Sequence, residues 1–459
     1  MKAVFACAAA ALCIAPAARA APPPPGDQAL LREIAAAVSA ERQRATIERL
    51  VGFGTRHTLS DTRSPTRGIG AARRWVAAEF TAISKDCGGC LEIATPSQVM
   101  SGERVPTPTE VMDVLAIQRG TEEPDRVIVI SGHLDSRVSD VMDATSDAPG
   151  ANDDASGVAA GMEAARVLSK HRFRATIVYA ALSGEEQGLL GGKVLADYAR
   201  EKGWRVEANL NNDIVGNTEG IGGVRDNTHV RVFSEGTKAV ETQAQANRRR
   251  YNGGEVDSPS RNLARYMDRL ADAYLTNLDV VMVYRTDRFG RGGDQVRMLE
   301  AGFPAVRVTE AVENYIRQHQ DLRTESGVAY GDVISGVDFP YLAQVTRLNA
   351  VTLASLASAP APPEGVAISG AVSADTTVKW TPAKGAAGYR VWWRSTTEPQ
   401  WRYSRWVEGA DAAETVLKGV VIDDWFFGVS AVSAHGYESP VVFPGDAGSF
   451  VSPPPPAAK

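Results

Sequence analysis

Apolar residues recur at helical spacing in two stretches near the start of the chain. Leu30, Leu31, Ile34 and Val38, continued by Ile47, Leu50 and Val51, form one stripe; Ile69, Ala72, Trp75, Val76, Phe80 and Ile83 form a second within residues 65–84. Such spacing gathers the apolar side chains on one helix face, so both segments are predicted helices. Beyond them, short apolar runs alternate with helical ones. Val127–Ile130, Thr176–Ala181, Val280–Tyr284 and Ala305–Val308 are predicted strands, and Gly157–Leu168, Leu189–Arg200 and Val333–Leu356 predicted helices. Strands interleaved with helices imply a sheet covered on both faces. The expected fold class is therefore α/β: a mixed, mostly parallel sheet flanked by helices, an α/β sandwich.

The pattern changes at Ala359–Glu364, which reads APAPPE. After it, Thr376–Trp380, Gly388–Trp393, Arg402–Val407, Glu414–Leu417 and Trp425–Val432 are short strand-like runs separated by Gly, Pro and Asp turns. They predict a small all-β sandwich. The division expected is an α/β domain over 30–358, a linker at 359–364, the sandwich at 365–449 and a disordered tail at 450–459. At the other end Lys2, an apolar run from Ala3 to Ala15, Pro16 and Ala18-Arg19-Ala20 have the order of a secretory signal peptide over 1–20. A proline-rich flexible leader over 21–29 follows. The apolar run is too short for a membrane span, so a secreted or periplasmic protein is expected.

Export changes the reading of the cysteines. Cys7 and Cys13 leave with the signal, and Cys87 and Cys90 remain. In a cytosolic protein Cys-Gly-Gly-Cys would suit redox chemistry or half a zinc site; in an oxidising compartment it suits a local disulfide. A net charge of −6 with no basic run speaks against nucleic acid, and no second apolar stretch is long enough to span a membrane.

Polar residues gather where predicted strands end. Ser131–Ser136, SGHLDS, puts His133 and Asp135 on one side of an extended segment, where a carboxylate can take the second ring proton of a metal-binding imidazole. Gly150–Gly157, GANDDASG, opens a helix with Asp153 and Asp154, which by themselves read as caps favoured by the helix dipole. Leu182–Gly188, LSGEEQG, sets Glu185 beside Glu186; their repulsion is relieved by solvent or by a cation, and a metal site would use one as ligand and one as general base. Asp213 ends the approach in NLNNDIVGN, and His319 falls in the loop ENYIRQHQDLR; each alone is an ordinary turn or surface residue. Together these residues can bind two divalent ions with one carboxylate bridging. Mixed nitrogen and oxygen ligands suit zinc, with manganese or cobalt also admissible.

This order of motifs, with SGEEQGLLG in full, resembles the secreted dizinc aminopeptidases, relatives of aminopeptidase Y and glutamate carboxypeptidase, over about residues 30–358. The resemblance implies a catalytic domain there, two Zn2+ per chain, and peptides with a free N-terminus as substrates. It implies His133 and Asp213 as terminal ligands of one zinc, Glu186 and His319 as those of the other, and Asp153 as the bridge. Glu185 would be the general base and Asp135 the partner of His133. Asp294, in Gly292-Gly293-Asp294 before EAGFPAVRVTE, falls inside the resemblance without a role. Gln318 stands where several relatives carry an oxyanion-stabilising Tyr, leaving Tyr315 the nearest phenol, and Gln295 stands where many have His. Residues 362–449 resemble a fibronectin type III module through PPEGVAI, Trp380, GYRVWWR and FGVSAVSAHGYESP. Its aromatics, Trp392, Trp393, Trp401, Trp406, Trp425 and Phe426, either alternate between core and strand faces or form a carbohydrate- or surface-binding face.

Three rival readings remain. A carboxypeptidase or dipeptidase on this fold needs arginines converging on a terminal carboxylate, with Arg285, Arg288, Arg291 and Arg323 available. A glutaminyl cyclase-like enzyme would use a single zinc, against which the complete ligand set speaks. A non-catalytic binding protein would leave Glu185 without a task.

Overall fold

The computed structural model describes residues 26–450. The expected signal peptide, most of the leader and nearly all of the tail lie outside them. Among the described residues no helix is long and apolar enough to cross a membrane.

Three helices, α1 (Ala29–Ala37), α2 (Ala40–Val51) and α3 (Gly68–Asp86), precede the first strand. Ser39 caps α2 by accepting from the Arg42 N–H. The strands that follow are β1 (Leu91–Ala94), β2 (Ser97–Gly102), β3 (Val105–Met112), β4 (Val114–Gln118), β5 (Glu123–His133), β6 (Ala175–Leu182), β7 (Arg205–Asn212), β8 (His229–Ser234), β9 (Asp279–Val283) and β10 (Ala305–Glu310). Helices α4 (Ala155–Leu168), α5 (Leu190–Glu201), α6 (Gln243–Asn252), α7 (Pro259–Tyr274), α8 (Gln295–Glu300) and α9 (Phe339–Ser358) complete this part. Eight strands form one sheet in the order β1-β4-β6-β5-β7-β10-β8-β9, and β2 and β3 make a separate hairpin. Its centre, β6-β5-β7-β10, is parallel. Those strands therefore end at a common edge.

Alternate side chains of the central strands supply two cores. Ile128, Ile130, Ile177 and Tyr179 pack towards α4, α7 and α9, whereas Val127, Val129, Val178 and Ala180 pack towards α5 and α8. Burial on both faces explains why β6 is apolar at nearly every position. The expected α/β sandwich is thus present. The predicted helix from Val333 begins only at Phe339, because Asp338 caps it by accepting from the Tyr341 N–H and Pro340 sits in its first turn.

After Ala359, whose carbonyl accepts from buried Arg126 (2.6 Å), the chain enters the small β part. Strands β13 (Glu364–Ser369), β14 (Thr376–Thr381) and β17 (Glu414–Leu417) form one antiparallel sheet; β16 (Tyr403–Glu408), β15 (Gly388–Ser395) and β18 (Trp425–Val432) form another. A hairpin, β11 (Arg323–Glu325) and β12 (Val328–Tyr330), interrupts the α/β part between β10 and α9. Val378, Trp380, Tyr389, Val391, Phe427 and Val429 fill a shared core between the two sheets. The sandwich is docked on α7. Trp401 Nε1 donates to Asn262 (3.0 Å), Tyr266 donates to the Glu438 carbonyl (2.8 Å), and Arg394 meets Asp257 (2.7 Å), which also holds Arg265 (2.8 Å). A Cβ on Gly253 would strike the Phe426 ring, and Arg269 lies over Trp392. Trp392, Trp401 and Phe426 therefore face the α/β part, while Trp393 and Trp425 gather around Tyr403 on the sandwich itself.

Candidate metal centre

The common edge of the parallel strands collects the polar motifs, as is general where ligands bind at the carboxyl ends of parallel strands. β5 ends at His133 and β7 leads into Asp213. The turn after β6 carries Glu185 and Glu186, the start of α4 carries Asp153, and the loop after β10 carries His319. Two groups of potential ligand atoms result, His133 with Glu185 and Asp213, and Asp153 with Glu186 and His319, each within 4.8 Å of one another. Asp153 spans the groups: its Oδ1 is 3.0 Å from His133 Nε2 and its Oδ2 3.0 Å from His319 Nε2. His133 Nε2 lies 3.9 Å from Asp213, and His319 Nε2 3.2 Å from Glu186.

Neighbours hold this arrangement in place. Asp154, the other half of the pair, caps α4 through the Gly157 N–H (3.0 Å) and accepts from the backbone N–H of His133 (2.9 Å) and Ile214 (3.2 Å). Its neighbour Asp153 is left to face the cluster. A Cβ on Gly157 would come 2.3 Å from the Asn212 carbonyl, so glycine lets α4 start flush against the end of β7. Asp135 accepts from the N–H groups of Glu185 (3.3 Å) and Glu186 (3.1 Å) and from Thr58 (3.0 Å), pinning the glutamate turn to the His133 strand. The nearest partner of His133 Nδ1 is the Asp135 carbonyl at 3.1 Å, with the carboxylate at 3.6 Å. His319 adopts a left-handed backbone, φ 54°, uncommon for a non-glycine residue and typical of constrained functional positions.

The electrostatics are those of a cation site. Burial, reinforced by Asp213, Glu186 and Asp294, pushes the Glu185 carboxyl well above its usual range. Burial opposes protonation of His319, yet Glu186 and Asp153 outweigh it and raise this imidazole to about 10. Glu186 Oε1 is buried and faces the His319 imidazole, at 3.2 Å. Carboxylates crowded in this way and two imidazoles aimed at them form a mixed nitrogen and oxygen donor set that fits divalent metal.

Residues 113–327, which contain the whole cluster, match the sequence profile of peptidase family M28. A probable zinc metalloprotease of Leptosphaeria maculans is 47% identical over 421 residues, 91% of this chain and 96% of the relative. The chain belongs to peptidase family M28. Another relative, a probable zinc metalloprotease of Pyricularia oryzae, is 43% identical over 89% of this chain and 82% of its own. Among solved structures, the Legionella pneumophila LapA aminopeptidase matches with a TM-score of 0.51 at 19% identity, over 72% of this chain and 73% of that one. The aminopeptidase from Aneurinibacillus sp. strain AM-1 matches with 0.50 at 14%, over 72% and 96%. These two likenesses show the shared fold.

In this M28 peptidase the cluster opens into a cleft of about 490 Å³. Gln318 lines it and directs Nε2 to Asp153 Oδ2 (3.4 Å), whereas Tyr315 is 56% exposed and outside the lining. Cys87 and Cys90 are bonded (S–S 2.08 Å) after α3, away from the cleft. Asp294 is buried and accepts from the Gly192 N–H (2.8 Å) near the start of α5. Gln295 receives Asn211 Nδ2 (3.1 Å) and donates to Asp287 (2.5 Å). Sequence reasoning missed three supports. Arg307, fully buried, sets Nη1 2.5 Å from Asp213 Oδ2; its only signal was a charge within the apolar run AVRVTE. Asp332 accepts from the Asn152 (2.9 Å) and Asp153 (2.7 Å) N–H groups, and burial raises its carboxyl to about 7. Buried Arg56 donates to the carbonyls of Leu134 (2.7 Å), Pro149 (2.6 Å) and Gly150 (2.9 Å), fastening the Asp153 loop to the end of β5.

Proposed function

We propose that the protein is a secreted, zinc-dependent aminopeptidase that hydrolyses the N-terminal bond of peptides. The observation that carries this reading is Asp153, whose two oxygens reach His133 on one side and His319 on the other. His133 and Asp213 would hold one zinc, Glu186 and His319 the other, with Asp153 shared. Bound there, two zinc ions would supply Lewis acidity and water that ionises near neutral pH. Glu185, within the same cluster, takes the proton of the attacking water and hands it to the leaving amine. Asp135 keeps that carboxylate in reach by holding the Glu185 and Glu186 amides. Gln318, which lines the cleft and now directs Nε2 to Asp153, would donate that N–H to the developing oxyanion in place of a phenol. Crowded carboxylates favour a substrate with a free, charged α-amine. The C-terminal sandwich we read as a fibronectin type III-like module that supports the catalytic part.

The test is hydrolysis of aminoacyl-p-nitroanilides and their N-acetylated counterparts, before and after chelation and zinc restoration. Zinc-dependent cleavage of the free-amine compounds alone is expected. Cleavage of blocked and free compounds alike would refute exopeptidase action at the amino end.

A further inference from the structure

The cleft over the cluster has few apolar contacts to offer. Among the described residues lining it, Leu189 is the one apolar side chain beyond glycine, and five arginines take the place of a greasy pocket: Arg104, Arg137, Arg288, Arg291 and Arg297. Three of these are already matched. Arg288 (3.3 Å) and Arg291 (3.0 Å) share Glu313, and Arg297 pairs with Glu300 (2.8 Å).

Arg104 and Arg137 are different. Arg104, in the turn of the β2–β3 hairpin, donates Nη1 to the Glu186 carbonyl (3.0 Å). Arg137, just past β5 and only 15% exposed, gives Nε to the Val138 carbonyl and Nη2 to the Ser139 carbonyl, both at 3.0 Å. Its Nη1 is left 3.9 Å from Glu186 Oε2. Among the described residues neither guanidinium has an ion pair with a carboxylate outside the metal cluster. Both guanidiniums thus stand beside Glu186 in the cleft lining, Arg137 recessed and Arg104 at the exposed hairpin turn, with donor capacity left over. A planar guanidinium in a recess, short of a carboxylate, is suited to accept one from a ligand through paired hydrogen bonds.

We infer, on the aminopeptidase reading above, that this cleft selects acidic substrates, with Arg104 and Arg137 receiving a carboxylate next to the scissile bond. Two parts of a peptide can supply it: the side chain of an N-terminal Glu or Asp, or the α-carboxylate of a dipeptide. The Arg cluster required by a carboxypeptidase is thereby present in part, through residues other than those picked out in the sequence.

The experiment compares kcat/KM of the zinc-loaded full-length enzyme for Glu-, Gln- and Leu-p-nitroanilide, and for Leu-Gly against Leu-Gly-amide. A charge-assisted contact should favour Glu over its isostere Gln, or the free acid over the amide, by about tenfold. A gain in the first arm identifies the side chain as the source, and a gain in the second identifies the chain end. In Arg104→Gln, at an exposed turn, and in Arg137→Gln, the favoured ratio should fall towards unity, and added salt should lower it in the parent enzyme. Cleavage without either preference overturns the inference and leaves the aminopeptidase reading intact. Should no member of the panel be cleaved, that reading fails instead. The inference is then decided by thermal shifts of the zinc-loaded protein with L-glutamate and L-glutamine: a larger shift with glutamate supports it, and equal shifts overturn it.

Discussion

Replacing Asp257 by Asn should loosen the docking of the sandwich on the α/β part. The carboxylate has no solvent exposure and holds two guanidiniums that are equally buried, Arg265 at 2.8 Å and Arg394 at 2.7 Å. Asn keeps the volume but removes the charge, leaving both cations without a counterion. Breaking a buried pair by removing one partner costs about 3–5 kcal/mol. The Arg265 and Arg394 bonds to the carbonyls of Val256, Pro399 and Glu398 survive, which argues for the lower end. A loss of about 3 kcal/mol at a urea slope of about 2 kcal/mol/M would lower the unfolding midpoint by about 1.5 M. Tryptophan fluorescence is a suitable probe, since Trp380, Trp392, Trp393, Trp401, Trp406 and Trp425, six of the eight tryptophans, belong to the sandwich. Arg402→Ala is the control: its pair with Glu398 is 64% exposed on the arginine side, where solvent and salt screen the attraction, and should contribute little. An Asp257→Asn midpoint no lower than that of Arg402→Ala would refute the reasoning, because a buried charge would then have been removed at the cost of a surface one.

Glu185→Gln should keep both metals by elemental analysis and lose on the order of 10²–10⁴-fold in turnover; a near-normal rate would reject the general-base role. Chelation should lower the melting temperature by about 5 °C, as expected for a chain of this size where binding contributes about 4 kcal/mol, and zinc should restore it. An unchanged melting curve would mean that the cluster needs no cation. Asp268 lies on α7, where burial raises its carboxyl from 3.8 to about 6. The folded state keeps a proton across that window which the unfolded state has lost, so stability declines as pH rises through it. Asp268→Asn should match the parent near pH 4 and exceed it above pH 6 by about 1 kcal/mol, a figure reduced for partial solvent screening; equal urea midpoints at pH 8 would contradict this.

Much of the α/β part was legible because its central strands are buried on both faces and their helices carry one apolar stripe. α7 went unread although Leu263, Tyr266, Met267, Leu270, Ala271 and Tyr274 recur on it at helical spacing. What that stripe could not show is that Arg261 and Arg265 are buried beside it, held by Ser234 and Asp257. β3 went unread because Pro106 and Pro108 are tolerated in a projecting hairpin but not in a central strand.

The clustering of the proposed ligand residues was legible for a related reason: parallel strands bring their carboxyl ends to one edge, so polar motifs that close successive strands become neighbours. By itself the sequence determined those motifs, the strand and helix types, and the change to short strands after Ala359. Composition alone could not choose between Asp153 and Asp154, since adjacent residues differ in direction; the resemblance pointed to Asp153, and the tertiary structure turns that residue to the cluster and Asp154 to the α4 cap. It alone brought Arg307 to Asp213, Asp332 to the Asp153 loop, Asp257 to Arg394, and Arg104 and Arg137 to Glu186. Each of these contacts joins segments distant in the chain through strand order and helix packing. Local pattern carries no record of such meetings, because they are set by which elements lie side by side in the fold.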